Sequence, residues 1–306
     1  LCSYATGNEK LMVGTFTEST LLDVVSDDGG AGFMMRIARH VDEGVAWLWL
    51  VTFGPDGVHG FVDDELPCNS MRTQDDGSQA QYEVSLPSTH GSVGWIMRTG
   101  SASRIEGGKC EIRVNGHFTS DVPRGPGSTE MALSASFIPL FGAAGNNLPG
   151  RTESIVRVEA DIEIGGKSHS ISGYGQFHEQ LQDAPRFDTP FTYVSLRSAE
   201  VALVALRGPR AGGGVVLTRS SGESFMGFRI SAHDPTTPIA VRNFDCGAAD
   251  DESPVATGSV TPIATYSVPI LGGRRPSAVV AGTLNGTHVS GFVNDWTPPT
   301  PDAHRH

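Results

Sequence analysis

Lysine is nearly absent from this chain. Lys10, Lys109 and Lys167 are the only ones in 306 residues, and the remaining basic charge is arginine. With 22 basic against 34 acidic residues the formal net charge is −12, and no Lys/Arg cluster interrupts it. Such a surface repels phosphate backbones and anionic headgroups, which excludes nucleic acid and membrane surfaces as partners. Apolar runs are short as well: none approaches the roughly 20 residues that a membrane-spanning helix needs. The sequence begins at a leucine, so a signal peptide would already be missing from it; the compartment stays open, with a cytoplasmic placement favoured over secretion. Cys2, Cys68, Cys110 and Cys246 are far apart, without C-x-x-C spacing, so neither a zinc knuckle nor a dense disulfide scaffold is indicated.

Several catalytic signatures are missing too. No G-x-S-x-G pentapeptide is present to form the nucleophile elbow of an α/β-hydrolase. "HEQLQ" at His178 has glutamine where a zinc helix needs its second histidine, and nearby Gly and Pro oppose a helix. "GYGQFH" lacks the third glycine and the following helix of a dinucleotide fingerprint. "AGGGVV" (Ala211 to Val216) lacks the lysine of a phosphate loop and reads as a hairpin turn. The expectation is an activity with no metal and no cofactor.

What is abundant is turn chemistry, with 38 glycines and 19 prolines. Between the turns lie short alternating segments, which read as strands. "GAGFMMRIARH" and "GVAWLWLVTFGPDGVHGFV" form a meander broken at Pro55-Asp56-Gly57. Trp47, Trp49, Val51 and Phe53 fall on one face of the second segment, Ala46, Leu48 and Leu50 on the other, so both sides should be covered. A short helix is expected only around "NEKLMVG" or "ESTLLDVV". Two stretches share one plan, "IEIGGKSHSISGYGQFHE" and "GTLNGTHVSGFVNDWT": strand, tight turn, then a strand with Ser-Gly-aromatic. Gly165-Gly166 and Asn285-Gly286 supply the positive φ that two-residue hairpin loops require. Read as the closing hairpins of two units, they give an N-terminal domain over 1–182 and a C-terminal domain over 183–306, with a flexible Pro-rich tail from about 298.

The segments "GAGFMMRIARHVDEGVAWLWLVTFGPDGVHGFV", "MALSASF" and "SHSISGYGQFHEQLQDAPRF" followed by "FTYVSLRS" resemble the tandem lipocalin-like proteins. That group includes AttH-like proteins, carotenoid 1,2-hydratases, tocopherol cyclase and decalin-forming Diels–Alderases. The resemblance implies an all-β fold of two lipocalin-like sandwich or barrel domains packed side by side. It also implies a hydrophobic substrate held between them or in one barrel mouth. The segment with a histidine after Gly-x-Gly usually faces that junction, which matches Gly173, Gly175 and His178. Relatives commonly follow that histidine with Trp-Gly, whereas Glu179, Gln180 and Leu181 stand here.

His178, Glu179, Asp183, Arg186 and Asp188 form the densest mixed-charge set, read as a crossing between the units. There His178 or Tyr174 would donate a hydrogen bond to a substrate carbonyl, with Glu179 beside them and Arg186 holding a carboxylate or Asp188. The competing reading is a solvated linker whose ion pairs contribute about 0–1 kcal/mol. Asp295 next to Trp296 is a second candidate, as a buried acid able to protonate an alkene. Trp47, Trp49, Met35, Trp95, Phe177, Phe191, Tyr193 and Trp296 would line the substrate pocket, unless they only fill a core. The chemistry expected is cofactor-independent cyclisation or isomerisation of a polyene or polyketide-like intermediate, in its most concrete form a Diels–Alder-type cyclisation. Acid-catalysed hydration or cyclisation of a terpenoid or carotenoid, and carriage of a lipid or pigment without turnover, are the alternatives.

Overall fold

The computed structural model of the chain describes residues 17–40, 43–67, 72–75, 79–85, 91–101, 104–116, 129–144, 151–182, 189–234, 236–247, 254–270 and 273–298. Two antiparallel sheets account for nearly all of them. The first contains β1 (Thr17–Ser26), β2 (Gly32–His40), β3 (Val45–Gly54), β4 (Gly57–Pro67), β5 (Arg72–Asp75), β6 (Gln79–Ser85), β7 (Gly91–Ser101), β8 (Arg104–Gly116), β9 (Thr129–Ala144), β10 (Arg151–Ile164) and β11 (Lys167–Gln182). The second contains β12 (Phe191–Arg197), β13 (Val201–Arg207), β14 (Gly212–Thr218), β15 (Gly222–Met226), β16 (Phe228–Ile230), β17 (Arg242–Cys246), β18 (Ala256–Ile270), β19 (Gly273–Leu284) and β20 (Thr287–Trp296).

Both sheets follow one rule: neighbours in sequence pair, and the last strand returns to the first. β11 lies between β1 and β10, and β20 lies between β12 and β19. The ladder breaks between β4 and β5 in one sheet and between β15 and β16 in the other. In the second sheet that seam is drawn together by Gly227, whose N–H donates to Gly212 O at 2.8 Å and whose carbonyl accepts from Gly247 at 2.9 Å. The two stretches of shared plan are the hairpins β10–β11 and β19–β20, turning at Gly165-Gly166 and at Asn285-Gly286, all with positive φ. This is the all-β, tandem lipocalin-like architecture expected from the sequence.

"ESTLLDVV" is a strand and not a helix. Its apolar residues divide between the two faces, Leu22 and Val24 inward and Leu21 and Val25 outward, and β1 is paired along its length with β2 and with β11. "NEKLMVG" lies outside the described residues. "AGGGVV" is less a turn than the start of β14, since Gly212 to Thr218 pair with β13.

Alternation sorts the side chains into four clusters. Leu22, Val24, Phe33, Met35, Leu48, Val158 and Phe177 fill the inner face of the first sheet. Val194, Leu196, Leu203, Phe244 and Val280 fill that of the second. The outer faces meet one another: Trp47, Trp49, Val51 and Phe53 pack with Tyr266, Val268, Phe292 and Trp296, and Phe141 and Ile155 pack with Tyr193, Val204 and Leu217. β3 is therefore covered on both sides, as its sequence demands. Each buried side chain of this size contributes about 1.5–3 kcal/mol. Phe141 reaches the junction because the β9–β10 register slips beside Leu140, and such a bulge turns the next residue to the opposite face.

The glycine of each Ser-Gly-aromatic stretch sits where the returning strand crosses the first strand most closely. A Cβ on Gly173 would lie 2.1 Å from Val25 O, and one on Gly291 would lie 1.9 Å from Ser195 O. Any side chain there pushes the closing strands apart. Gly173→Ala and Gly291→Ala should each lower unfolding stability by about 1–3 kcal/mol in urea titration. Gly286→Ala, whose Cβ would meet nothing within 4 Å, tests the alternative that backbone strain alone decides the loss.

Candidate functional site

The strand β11 does not end where its glycines suggest. It continues through His178 and Glu179 to Gln182, because both of its neighbours supply pairing partners: Leu21 and Glu153 flank His178. His178 thus stands on a rigid strand, not in a crossing loop. Alternation points Gln176 and His178 to the outer face of the first sheet, where β12 of the second sheet covers them.

Around His178 lies a buried hydrogen-bonded set. Arg151 pairs with Glu153 and donates from Nη2 to the Tyr193 hydroxyl at 2.7 Å and to His178 Nδ1 at 3.1 Å. A guanidinium only donates, so Nδ1 accepts, and the imidazole carries its proton on Nε2. Gln176 bonds Glu153 through its amide N–H, donates to the Tyr193 hydroxyl at 2.9 Å, and accepts from Ser195. Arg197 pairs with Asp23, and Asp23 also accepts the Gln176 backbone N–H at 3.1 Å. Asp23, Glu153, Gln176 and His178 belong to the first sheet; Tyr193, Ser195 and Arg197 come from β12. The site therefore exists only where the two sheets meet.

Burial sets the protonation states. It pushes the Asp23 carboxyl up to about 6, against the pull of Arg197 and the Gln176 N–H. Burial likewise raises the Tyr193 phenol, outweighing Arg151, so the hydroxyl stays protonated. Burial opposes the charge on Arg151, but Glu153 and Tyr193 prevail and hold it above its ordinary value. Burial, helped by nearby Arg36, holds His40 down to about 4, so that ring is neutral.

On the same face of the first sheet, past Leu21 and Arg36, stands an aromatic wall. Trp47 and Trp49 stack with centroids 6.3 Å apart, and His40 lies 4.2 Å from Trp47. The Arg36 guanidinium lies 4.6 Å from the Trp49 centroid, and Arg275 of the second sheet lies 5.4 Å from it. Phe292 and Trp296 complete the junction from β20, with Arg197 stacked over Phe292 at 5.2 Å.

The residues singled out in the sequence are divided by the fold. His178, Tyr193, Trp47, Trp49 and Trp296 are buried at the junction, with Phe191 half-buried beside them. Tyr174 is half-buried under Arg157, 5.1 Å from its ring, and gives its carbonyl to Arg197 at 3.2 Å. Met35 and Phe177 point the other way, into the first barrel, where Phe177 stacks on Phe137 at 5.0 Å. Glu179 shares their side of β11 by alternation. Asp295 pairs with Arg242 at 2.8 Å and accepts from Thr192 at 2.6 Å. It lines a cleft of about 570 Å³ at the mouth of the second barrel, shared with Arg207, Arg210 and His233. Arg186, Asp183 and Asp188 lie outside the described residues, as does the side chain of Trp95. Sequence reading missed Asp23, Arg151, Glu153, Gln176, Arg197 and Arg275. Their signal is a charged or amide residue in the junction-facing phase of an otherwise apolar strand, as in "LLDVV". Among the described residues no group of His, Cys, Asp and Glu is arranged to hold a metal, and no helix is long and apolar enough to cross a membrane.

A family model described as a domain of unknown function, DUF7064, matches residues 12–177. No curated protein matches the chain in sequence. Solved structures match it in fold along nearly its whole length. An AttH-like protein from Nitrosomonas europaea is 12% identical with a TM-score of 0.61, over 96% of this chain and 97% of that one. CghA in complex with Sch210972 is 12% identical with a TM-score of 0.61, over 93% and 89%. Kievitone hydratase from Nectria haematococca is 8% identical with a TM-score of 0.53, over 96% and 93%.

The Asp23 and His40 shifts give opposite pH dependences. Folding raises the Asp23 value from 3.8 to about 6, so the folded state holds the extra proton and stability falls as pH rises through that window. Folding lowers the His40 value from 6.5 to about 4, so the unfolded state holds the extra proton and stability rises with pH there. Asp23→Asn should therefore make stability climb more steeply between about pH 4 and 6, and His40→Gln should flatten or reverse the slope. Urea midpoints measured from pH 4 to 7 check both; slopes unchanged from the parent would contradict the assignment.

Proposed function

The chain belongs to the DUF7064 family, and we propose that it is a cofactor-independent cyclase or isomerase of a hydrophobic polyene or polyketide-like intermediate, with Diels–Alder-type cyclisation its most concrete form. The observation that supports this is the buried donor set of His178, Tyr193 and Arg151, with the stacked Trp47 and Trp49 on the same face of the first sheet beyond two intervening strands. In this reading residues 1–182 and 183–306 are two domains, and the substrate lies in their junction.

Flat indole faces hold a folded polyene by shape. Keeping the two reacting ends near contact can supply much of the roughly 7–11 kcal/mol that orientation makes accessible. His178 Nε2–H or the Tyr193 hydroxyl donates to the activating carbonyl, drawing electron density from the bond that reacts. Because these donors are already fixed by Arg151, Glu153 and Gln176, little reorganisation accompanies the reaction. Arg151 remains charged throughout and acts by positioning the ring and the phenol.

A second reading is favoured by Asp23. A buried carboxyl with a value of about 6 is partly protonated near neutral pH, as an acid that protonates an alkene must be. Acid-catalysed hydration or cyclisation of a terpenoid follows from it, and one solved structure of this fold is a hydratase by name.

Native mass spectrometry of the purified protein would identify the lipophilic molecule that copurifies and serves as substrate. His178→Ala should then slow turnover at least about tenfold while the melting temperature stays within a few degrees. Asp23→Asn unpairs Arg197 and should slow turnover in either case; a pericyclic reaction should nonetheless run at a pH-independent rate between about pH 5 and 8 in the wild type, whereas proton transfer from Asp23 should make wild-type turnover fall as pH rises above about 6. A bound molecule released unchanged by the wild-type protein would instead make the chain a carrier. Unchanged kinetics in both variants would remove the junction from the chemistry.

A further inference from the structure

On the second-sheet side of the junction, Arg275 is a buried cation without an anion. Its side chain is 7% exposed. Among the described residues no carboxylate lies within 4.0 Å of it, and its Nε–H has no hydrogen-bond acceptor. It stacks over the Trp49 ring at 5.4 Å, a contact that compensates only part of the lost hydration. Burial accordingly pulls the Arg275 guanidinium below its ordinary value, with Tyr266, Tyr193 and Asp295 pulling the other way. Two other buried arginines of the junction are matched, Arg197 by Asp23 and Arg151 by Glu153.

The surroundings of Arg275 are also those of a binding surface. Ser277, two residues along the same face of β19, is paired with Tyr266 on one side and Asn294 on the other. Asn294 is 4% exposed, and its side-chain carbonyl oxygen has no donor. Trp49 and Arg36 face this group from the first sheet, and Arg36 adds a second guanidinium over the same indole. An unmatched buried guanidinium costs several kcal/mol, and fold stability offers no reason to keep it.

The geometry points to Arg275 as the docking group for a carboxylate carried by the lipophilic ligand of the junction. This rests on the proposed function for the location of that ligand, and adds that the ligand is an acid. A carboxylate suits the site: the planar Arg275 guanidinium beside the Trp49 indole can hold both carboxylate oxygens in a fork while the apolar remainder of the ligand stays among the junction's aromatic side chains.

Isothermal titration calorimetry with octanoate and octanol separates the two claims. Wild-type protein should bind octanoate at least about tenfold more tightly than octanol, and Arg275→Gln should abolish that preference while leaving octanol affinity within about twofold. Without ligand, the variant should unfold at the same urea concentration as wild type or a higher one, since the substitution removes an uncompensated charge. Equal binding of the two probes by wild type would overturn the acid-docking role and leave the lipophilic junction standing. Binding of neither would overturn both. A preference that survives Arg275→Gln would assign the carboxylate to another group and overturn the inference. If that variant does not fold, Arg275→Lys is read in its place: octanoate binding should weaken at least about threefold because an ammonium cannot engage both oxygens, and unchanged affinity would overturn the inference.

Discussion

The ion pair of Asp23 with Arg197 ties the strand that opens the first sheet to the strand that opens the second. Both partners are nearly inaccessible to water, and each would be strongly unfavourable there alone. The pair holds only if the sheets approach closely enough to exclude solvent, and the sheets approach only because apolar outer-face residues accompany it. Leu21 and Val25 flank Asp23 in phase, and Phe292 underlies Arg197. Polar matching thereby fixes the register of an interface whose area is mostly apolar. His178, Tyr193 and Arg151 inherit their geometry from that register.

Sequence and structure agree most where side chains alternate. "VAWLWLVTF" announces a strand buried on both faces, and β3 is that strand. The Gly-containing hairpins announce closure, and β11 and β20 close their sheets against β1 and β12. The same logic fails at "ESTLLDVV", where helical spacing over eight residues could not be told from strand spacing until two neighbours claimed the backbone. It fails again at "GYGQFHEQ", whose two glycines read as a break. They are instead concessions to the close approach of Val25 and Asp23 of β1.

The site was less legible than the fold, for a physical reason. His178 was visible as a residue, but not its surroundings: Arg151 and Glu153 come from β10, Asp23 from β1, Tyr193 and Arg197 from β12. No local spacing records a meeting of outer faces, because each strand is consistent by itself with one wet side. Charge at the buried phase of an apolar strand is the trace such a meeting leaves. Read that way, Asp23, Arg36 and Arg197 mark the face on which a partner sheet must lie. Composition alone suggests Met35 and Phe177 for the pocket, and alternation carries them into the first barrel.

The return of each last strand to its first has a consequence for how the molecule is made. Leu22 meets Phe177, and Val194 meets Val293, so the pairing that completes either barrel joins its most widely separated segments. Contacts of such long range form slowly. While a ribosome is still elongating, β1 therefore has an unsatisfied flank, with apolar residues on both sides, until β11 emerges. That interval is when such a chain is most exposed to intermolecular strand pairing, and its acidic, nearly lysine-free surface gives nascent copies a mutual repulsion that acts against it.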